Sequence, residues 1–349
     1  MRCSRISAPE RVRPSSDNLK RELRALVKEA IWFATTRHES GPNRDICLFC
    51  TRRGGSTMVM EAIAANRGVK FLDQPVEATT ETLTAAQARR MPKVAEGELV
   101  SLDEDEERRL RRLLDEIFAG TLPVNAPWRF WRRGFDFRTN RLVLKIVGAK
   151  ALIDWFDTAY DVDVVYVTRH PIPQALSCIR NRWTLTAKSY LRDATFVERH
   201  LDDATVAWCW DVVRDGSDLD RFVLNWALEN LVPLRLLDQR PHWSYLSYES
   251  TVLEPKVLLE LAEALALDDT DAMLQAIERP SRSSGLSTAG TTERIAAGDR
   301  SSLLAAWRHD VSDDEERRAM AALDRLGIDL YRPGEDLPSP LSRIGRPRT

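Results

Sequence analysis

The residues most suited to chemistry lie in a short glycine-containing turn, TRRGGST, at residues 51–57. An apolar run precedes the turn and a sequence with helical spacing follows it, as expected for a strand that passes into a helix. The glycines let the backbone approach a ligand closely, and the first N–H groups of the helix point toward that ligand. The donors that the turn offers come from Arg52, Arg53, Gly54, Gly55, Ser56 and Thr57. Together they predict a site for a phosphate-bearing ligand.

The turn lacks one feature of the loops that hydrolyse nucleotides. Those loops carry a Lys followed by Ser or Thr, whose hydroxyl holds magnesium. Here Gly55 stands before Ser56, where that Lys is required. The sequence therefore disfavours a magnesium-dependent ATPase or GTPase, and we predict no metal site. An ordinary strand-to-helix turn is the alternative for this stretch taken alone.

A second candidate anion site follows another apolar strand. Residues 163–168 read DVVYVT, and Arg169 comes directly after them. Pro171 is typical of the first turn of a helix, and Ser177 lies on that helix, eight residues beyond the arginine. Arg169 can pair with a phosphate while the Ser177 hydroxyl reaches the same group. The structural alternative for Arg169 is an ion pair at the helix entry.

Both stretches resemble motifs of the sulfotransferase family. The order Arg53, Gly54, Gly55, Ser56, Thr57 resembles its 5′-phosphosulfate loop, and Arg169 with Ser177 resembles its 3′-phosphate motif. His170 departs from the family pattern, which usually has Asp after the arginine. The resemblance extends over about residues 45–310. It implies a P-loop-like enzyme that uses 3′-phosphoadenosine 5′-phosphosulfate (PAPS) as the donor and needs no metal.

Sulfuryl transfer requires cations near the leaving group. As in phosphoryl transfer, the protein positions an acceptor oxygen in line and neutralises the charge that grows on the leaving oxygen. Arg53 and the N–H groups of the turn are predicted to do so. The family often has a lysine beside the phosphosulfate on its third strand, and Lys145 matches it. Alternatively, Lys145 extends past the end of the sheet into solvent.

The acceptor hydroxyl needs a general base within hydrogen-bond reach. Sulfotransferases of phenols and steroids have a His two residues after the strand lysine, but this chain has Val147 there. Other members of the family use a Glu just beyond the second strand. Glu77 fits that position and is our predicted base, with Asp73 and His170 in reserve. The alternative for Glu77 is a charge that stabilises a helix N-terminus.

Two further regions match the family more loosely. Tyr248 and Glu249 follow the fifth predicted strand, in a segment similar to the family sequence Arg-Tyr-Glu-Asp-Leu, and we interpret both as structural. Residues 279–300 are rich in Ser, Thr and Gly and predict a flap over the nucleotide. Arg294 is the candidate donor-binding residue of this flap, although its spacing differs from that of the basic loop in the family.

These residues need a parallel sheet to bring them together. Five apolar stretches predict its strands, at residues 45–50, 69–72, 141–147, 163–168 and 243–247. We therefore predict an α/β protein with a P-loop-like three-layer fold, in which helices flank a central parallel sheet. The predicted organisation is an N-terminal extension with one helix (1–40), a single sulfotransferase domain (41–332) and a mobile C-terminal tail (333–349).

Composition limits the partners and the location. The chain has 349 residues, a formal net charge of -2 and a pI near 6.3, which give no general attraction to nucleic acid or anionic membrane. No apolar stretch predicts a signal peptide or a membrane span, so we expect a cytoplasmic protein. Cys47 and Cys50 are spaced three apart on a strand, and their side chains should therefore point to opposite faces and pack in the core.

The acceptor remains open at this stage. The Arg- and Trp-containing stretches at residues 127–141 and 180–183 could line its pocket, and with Glu77 as the base they favour a carbohydrate or other small alcohol. Two alternatives to a sulfotransferase remain. One is an atypical ATP-dependent nucleotide or sugar kinase, and the other is a catalytically inactive nucleotide-binding protein. The sequence does not fix the oligomeric state.

Overall fold

A computed structural model describes residues 16–77, 98–127, 135–279 and 301–346, with single positions at 87, 90, 91, 130, 131, 281, 293, 294, 297 and 299. Most of the helix expected at residues 79–90 lies outside the described residues, as does most of the flap expected at 279–300. The arginines at 129, 132 and 133 in the Arg- and Trp-containing stretch also lie outside them.

The core of the fold is a six-stranded sheet. The strands are, in chain order, β1 Arg37–His38, β2 Asp45–Cys50, β3 Val69–Asp73, β4 Arg138–Thr139, β5 Arg141–Ile146, β6 Val162–Thr168, β7 Ser244–Ser247 and β8 Ser342–Arg343. The six-stranded sheet has the order β3-β5-β2-β6-β7-β8, and its first five strands are parallel. The short strands β1 and β4 form a separate parallel pair.

Strand β2 lies at the centre because its side chains are apolar on both faces. Ile46, Leu48 and Cys50 pack into one core cluster, and Cys47 and Phe49 pack into the other. A strand buried on both faces suits the interior of a parallel sheet that helices cover on each side. The prediction that Cys47 and Cys50 point to opposite faces of the sheet is therefore confirmed.

Helices cover both faces of the sheet. The helices of the described residues are α1 Ser16–Thr35, α2 Ser56–Ile63, α3 Glu104–Phe118, α4 Ile153–Ala159, α5 Pro171–Arg180, α6 Ala187–Arg192, α7 Ala194–His200, α8 Asp203–Asp215, α9 Asp218–Leu237, α10 Tyr248–Leu253, α11 Val257–Ala264, α12 Thr270–Glu278 and α13 Asp313–Arg325. Helices α2, α11 and α12 contribute to one core cluster, and α3, α5, α9 and α13 contribute to the other. The predicted three-layer α/β fold is confirmed. Within the described ranges, no helix combines the length and apolar character needed to cross a membrane.

The C-terminal segment, for which we predict a mobile tail at 333–349, includes strand β8. Strand β8 adds to β7 in antiparallel register, so the sheet is mostly rather than wholly parallel. Next to this pairing, Ser247 Oγ donates to Leu341 O (2.8 Å) and Gly345 N donates to Ser244 Oγ (3.1 Å). Strand β8 thus completes the sheet, and the mobility predicted for residues 333–349 stays a prediction.

The N-terminal extension packs on the rest of the protein. Trp32 of α1 is buried in the same core cluster as the helices of one face. After α1, strand β1 pairs with β4, which comes 100 residues later in the chain. The pairing of β1 with β4 therefore holds the segment before β2 against the segment before β5.

Candidate functional site

The phosphate loop (residues 51–57) connects β2 to α2 at the carboxyl end of the central strand. Gly55 occupies the N-cap of α2 in the left-handed conformation (φ 84°), and no side chain caps the helix. The first N–H groups of any helix have no partner within the helix, and they carry the positive end of its dipole. The loop therefore presents backbone donors toward the edge of the sheet where ligands bind in open α/β folds.

The loop has no space for a side chain at Gly54 or Gly55. A Cβ at Gly54 would lie 2.8 Å from Thr51 Oγ1, and one at Gly55 would lie 2.5 Å from Cδ2 of the Tyr248 ring. Arg53 itself has a positive φ of 60°, which is uncommon for a residue with a side chain. Such backbone strain often accompanies ligand-binding loops and persists because the surrounding structure holds it.

The two predicted anion sites meet in the structure. Arg53 Nε donates to Ser177 Oγ at 3.0 Å, and Arg169 Nη1 lies 3.4 Å from the carbonyl oxygen of Arg53. They meet because β2 and β6 are adjacent parallel strands, so the loop after β2 and the residue after β6 lie at the same edge of the sheet. Residues separated by more than a hundred positions in the chain thus form one cationic surface.

The charges around this surface favour an anion. Burial lowers the pKa of Arg53, and the nearby charges of Arg169 and Arg180 lower it further. Arg169 lies over the ring of Tyr248 at 4.6 Å, and its buried Nε has no hydrogen-bond partner in the described part of the chain. A buried donor without a partner is costly, and a phosphate oxygen would satisfy it.

Lys145 lies beside the phosphate loop. Its Nζ is 2.7 Å from Asp73 Oδ1, at the end of β3, and it donates to Thr57 Oγ1 at 3.3 Å. The side chain is 8% exposed, so the alternative in which it extends into solvent does not describe its position. This contact places a second cation within reach of an anion held by the start of α2.

Glu77 is buried just beyond β3. Gln74 Nε2 donates to Glu77 Oε1 at 3.0 Å. Like Arg53, Gln74 has a positive φ, of 58°. Burial raises the pKa of Glu77, while the charges of Arg52, Lys150 and Lys145 oppose the increase. Glu77 is therefore a carboxyl group of raised basicity within the electrostatic reach of the loop, as a general base requires.

The two reserve bases have structural partners. Asp73 forms the ion pair with Lys145 described above. His170 Nδ1 accepts from Ile172 N (3.3 Å) as the N-cap of α5, and its Nε2 contacts the Glu335 carbonyl oxygen at 3.2 Å. Its ring stacks on Trp307, and burial lowers the pKa of His170 to about 3. A histidine held in this way is poorly suited to accept a proton from a substrate.

Glu249 and Tyr248 differ in how well they fit the structural interpretation. Glu249 Oε1 accepts from His170 N (2.9 Å) and its Oε2 accepts from the Tyr331 hydroxyl (3.0 Å), which is a structural role. Tyr248, by contrast, touches the site directly. Its ring lies against Gly55 and under Arg169.

Arg52 does not join the cationic surface. Its Nη2 is 3.3 Å from Glu98 Oε1, and its Nη1 donates to the Thr184 carbonyl oxygen at 3.5 Å. Burial disfavours its charge, but the carboxylates of Glu229, Glu98 and Glu77 outweigh this effect and raise its pKa. The guanidinium of Arg52 is thus directed at a carboxylate of the protein, and donor binding by Arg52 stays a prediction.

Arg294 is not brought to the site by the described contacts. Its side chain is exposed, and the hydrogen bond that involves it in the described ranges is from Asp299 N to its carbonyl oxygen, at 2.9 Å. Most of the neighbouring flap lies outside the described residues. Binding of the donor by Arg294 therefore stays a prediction.

No protein-family model matches the chain, and curated proteins include no significant match. A solved structure of the mouse sulfotransferase SULT7A1 complexed with PAP is similar, with 12% identity and a TM-score of 0.38 over 87% of each chain. Two structures of retinol dehydratase, one with androsterone and PAP and one with retinol and PAP, each have 13% identity, with TM-scores of 0.35 and 0.34. They cover 90% and 88% of this chain and 88% of their own, and at these TM-scores they support no conclusion about activity.

Several residues at the site were not predicted from the sequence. Gln174 Nε2 donates to the Arg52 carbonyl oxygen at 2.7 Å and so fixes the loop from α5. Glu98, Lys150 and Glu229 are buried around the Arg52 side chain. The position of Gln174 on the helix that follows Arg169 was a usable signal for the first. The other three lie in apolar stretches of sequence without a motif, so the sequence gave no signal for them.

Proposed function

We propose that this protein is a sulfotransferase that moves a sulfuryl group from PAPS to a hydroxyl acceptor. The observation that carries the proposal is the hydrogen bond between Arg53 and Ser177, with Arg169 against the same loop. It joins two motifs that each suit a phosphate. One resembles the family motif for the 5′-phosphosulfate of PAPS, and the other resembles the family motif for its 3′-phosphate. A nucleotide with both a 5′-phosphosulfate and a 3′-phosphate needs such a pair of sites.

The chain has a separate set of donors for each end of PAPS. The N–H groups at the start of α2, Arg53 and Lys145 would hold the phosphosulfate, and Arg169 with Ser177 would hold the 3′-phosphate. The Nε of Arg169 supports this fit, because it has no hydrogen-bond partner among the described residues and a phosphate oxygen would supply an acceptor.

Glu77 is the proposed general base. It accepts the acceptor proton as the acceptor oxygen bonds to sulfur and the bond from sulfur to the 5′-phosphate oxygen breaks. Arg53 and Lys145 stabilise the negative charge that develops on the departing phosphate oxygen. Burial raises the pKa of Glu77, so that the carboxylate is a stronger base than an exposed one.

The proposed acceptor is a carbohydrate or another small alcohol. Val147 stands where phenol- and steroid-type members of the family have a His, and the ring of Trp183 lies 6.0 Å from the Arg52 guanidinium next to the loop. A partly buried aromatic ring suits the apolar face of a sugar.

The first experiment compares ligands by thermal shift. Adenosine 3′,5′-bisphosphate should raise the melting temperature at concentrations where ATP with Mg²⁺ does not. The second measures transfer of radiolabelled sulfate from PAPS to a panel of alcohols and phenols. Stabilisation by ATP with Mg²⁺ instead would favour the kinase, and binding of the bisphosphate without transfer to any acceptor would favour the inactive nucleotide-binding protein.

A further inference from the structure

A cluster of buried charges lies behind the phosphate loop. We define the buried charge cluster as Arg52, Glu98, Lys150 and Glu229. Lys150 Nζ is 3.1 Å from Glu229 Oε2 and 3.8 Å from Glu98 Oε2, and Arg52 Nη2 is 3.3 Å from Glu98 Oε1. The side chains of Glu98 and Lys150 are fully buried, and that of Glu229 is nearly so. Isolated charges at this depth are strongly unfavourable, so the four groups depend on one another.

Neutral side chains complete the hydrogen bonding of the carboxylates. Thr186 Oγ1 and Asn225 Nδ2 each donate to Glu229 Oε1 at 2.7 Å, and the Tyr190 hydroxyl donates to Glu98 Oε2 at 3.4 Å. Lys150 Nζ also donates to the carbonyl oxygen of Val147. The cluster therefore has defined geometry rather than a general acidic character.

The cluster connects the loop to three other parts of the fold. Lys150 begins the short 3-10 helix after β5, Glu229 lies in the middle of α9, and Glu98 belongs to a segment held to the end of β5 by Leu99 N and the Gly148 carbonyl oxygen (2.7 Å). The Arg52 side chain connects the phosphate loop to these three segments. The next residue is the one with the strained backbone, so the cluster is well placed to hold that conformation.

The charges of the cluster and its neighbour do not cancel. Three carboxyl groups, of Glu77, Glu98 and Glu229, interact with Arg52 and Lys150. Lys145 and Asp73 also act on Glu77, but they form an ion pair with each other and add no net charge. A buried excess of one carboxylate favours retention of a proton. Burial raises the pKa of Glu98 to about 8, Lys150 and Arg52 oppose the increase, and Glu229 and Glu77 add to it.

We propose that Arg52 is a positioning residue, held by the buried charge cluster so that the phosphate loop is preformed, and that the proton on Glu98 controls donor affinity. This inference rests on the proposed function. Arg52 does not touch the donor in this arrangement. With Glu98 protonated, the cluster and the neighbouring Glu77 together have no net charge, and the loop accepts an anion. Loss of that proton adds a negative charge behind the loop and repels the phosphates.

The size of the effect follows from Coulomb's law. Across about 10 Å of partly polarisable protein, with screening by salt, one added charge changes the affinity for an anion by about threefold to tenfold. The groups that face Glu98 are Arg52 in the loop, Lys150 after β5, Glu229 in α9 and Glu77 beyond β3, with the Tyr190 hydroxyl of α6. The guanidinium of Arg52 and the ammonium of Lys150 keep their charges over this pH range, because the carboxylates raise the pKa of each.

The decisive experiment is the pH profile of ligand binding. The affinity for adenosine 3′,5′-bisphosphate is measured by calorimetry from about pH 7 to about pH 9.5, where its phosphates are fully ionised, since their second pKa is about 6. Wild type and the exposed control Glu260→Gln should lose about threefold to tenfold in affinity as pH rises, whereas Glu98→Gln should give a flat profile. The same slope in Glu98→Gln, or a flat profile in wild type, overturns the role of Glu98.

A matched pair of variants tests the role of Arg52 and covers the case in which Glu98→Gln does not fold. Arg52→Lys keeps a cation beside Glu98 and should bind the bisphosphate within about threefold of wild type, whereas Arg53→Lys should lose more than about tenfold because it loses its fork of donors. Equal losses in both variants would mean that Arg52 contacts the ligand, which overturns the positioning role. Absence of binding by wild type would instead overturn the proposed function and this inference together.

Discussion

Arg52 and Arg53 are consecutive residues with opposite electrostatic surroundings. Arg52 faces Glu98, and carboxylates raise its pKa despite burial. Arg53 faces Ser177, and burial together with the charge of Arg169 lowers its pKa. The positive φ of Arg53 turns the backbone between them, so that one side chain is directed inward and the other toward the edge of the sheet.

The contrast shows how burial alone fails to identify a binding residue. Both guanidiniums are partly buried, but the protein supplies anions to Arg52 and mainly cations to Arg53. A buried cation among cations becomes more stable when an anion arrives from outside. Arg53 is therefore the candidate for ligand contact, and Arg52 is the candidate for holding the loop.

The largest expected effect is that of Arg53→Ala. Loss of a charge that acts on the transition state should lower kcat/KM for sulfate transfer by about 10³-fold, by analogy with the removal of other transition-state donors. The melting temperature should be unchanged or slightly higher, because repulsion from Arg169 is removed. Steady-state kinetics and calorimetry test this, with the exposed Arg332→Ala as the control. Retention of wild-type kcat/KM would place the anion site elsewhere.

Glu77→Gln tests whether proton transfer and donor binding depend on different residues. The variant keeps a hydrogen-bonding side chain but loses the base, so kcat should fall by about 10²-fold to 10⁴-fold. Affinity for adenosine 3′,5′-bisphosphate should stay within about threefold, since Arg53 and Arg169 are unchanged. A kcat near that of wild type would show that Glu77 is not the base.

Gly55→Ala tests the space between the loop and Tyr248. The added Cβ would lie 2.5 Å from the Tyr248 ring at a backbone φ of 84°, so we expect a loss of about 1–3 kcal/mol in unfolding free energy. Donor affinity should fall at least about tenfold because the first N–H groups of α2 move. Gly327→Ala is a matched control. The φ of Gly327 is also positive, at 68°, but an added Cβ there would have no other described atom within 4 Å. This variant should lose about 1 kcal/mol and keep its donor affinity. Equal effects on affinity would contradict the role of the loop.

Ser177→Ala should have the smallest effect of this series. It removes the hydroxyl that accepts from Arg53 and leaves the 3′-phosphate to Arg169, so donor affinity should fall by about fivefold to tenfold. A double-mutant cycle with Arg53→Ala sharpens the comparison. The two losses should be less than additive, because each variant breaks the same hydrogen bond. Full additivity would indicate that the two residues act at separate sites.

Much of the site could be predicted because its parts are tied to strand ends. Apolar runs identify β2 and β6, and parallel strands place the residues that follow them at one edge of the sheet. This is why Arg53 and Arg169 could be expected at one edge of the sheet, and the resemblance to the sulfotransferase motifs added Ser177. The contact between Lys145 and Thr57 follows from the same rule, since β5 is the other neighbour of β2.

The remainder depends on side-chain direction and distant partners. In a turn with positive φ, sequence order does not say which of two adjacent arginines points inward. The partner of Arg52 is 46 positions away, in a segment with neither helical nor strand periodicity, and Lys150 and Glu229 carry no motif. Strand β8 was missed for a related reason, because its two residues are stabilised by pairing with β7 and not by their own composition.

The pairing of β8 with β7 has a consequence for any shortened form of the chain. A truncation after residue 332 would keep each proposed catalytic and donor-binding residue, but it would uncover the backbone donors and acceptors along one side of β7. Exposed strand edges recruit strands from other molecules. Strand β8 therefore covers an edge of the sheet that would otherwise be open to self-association.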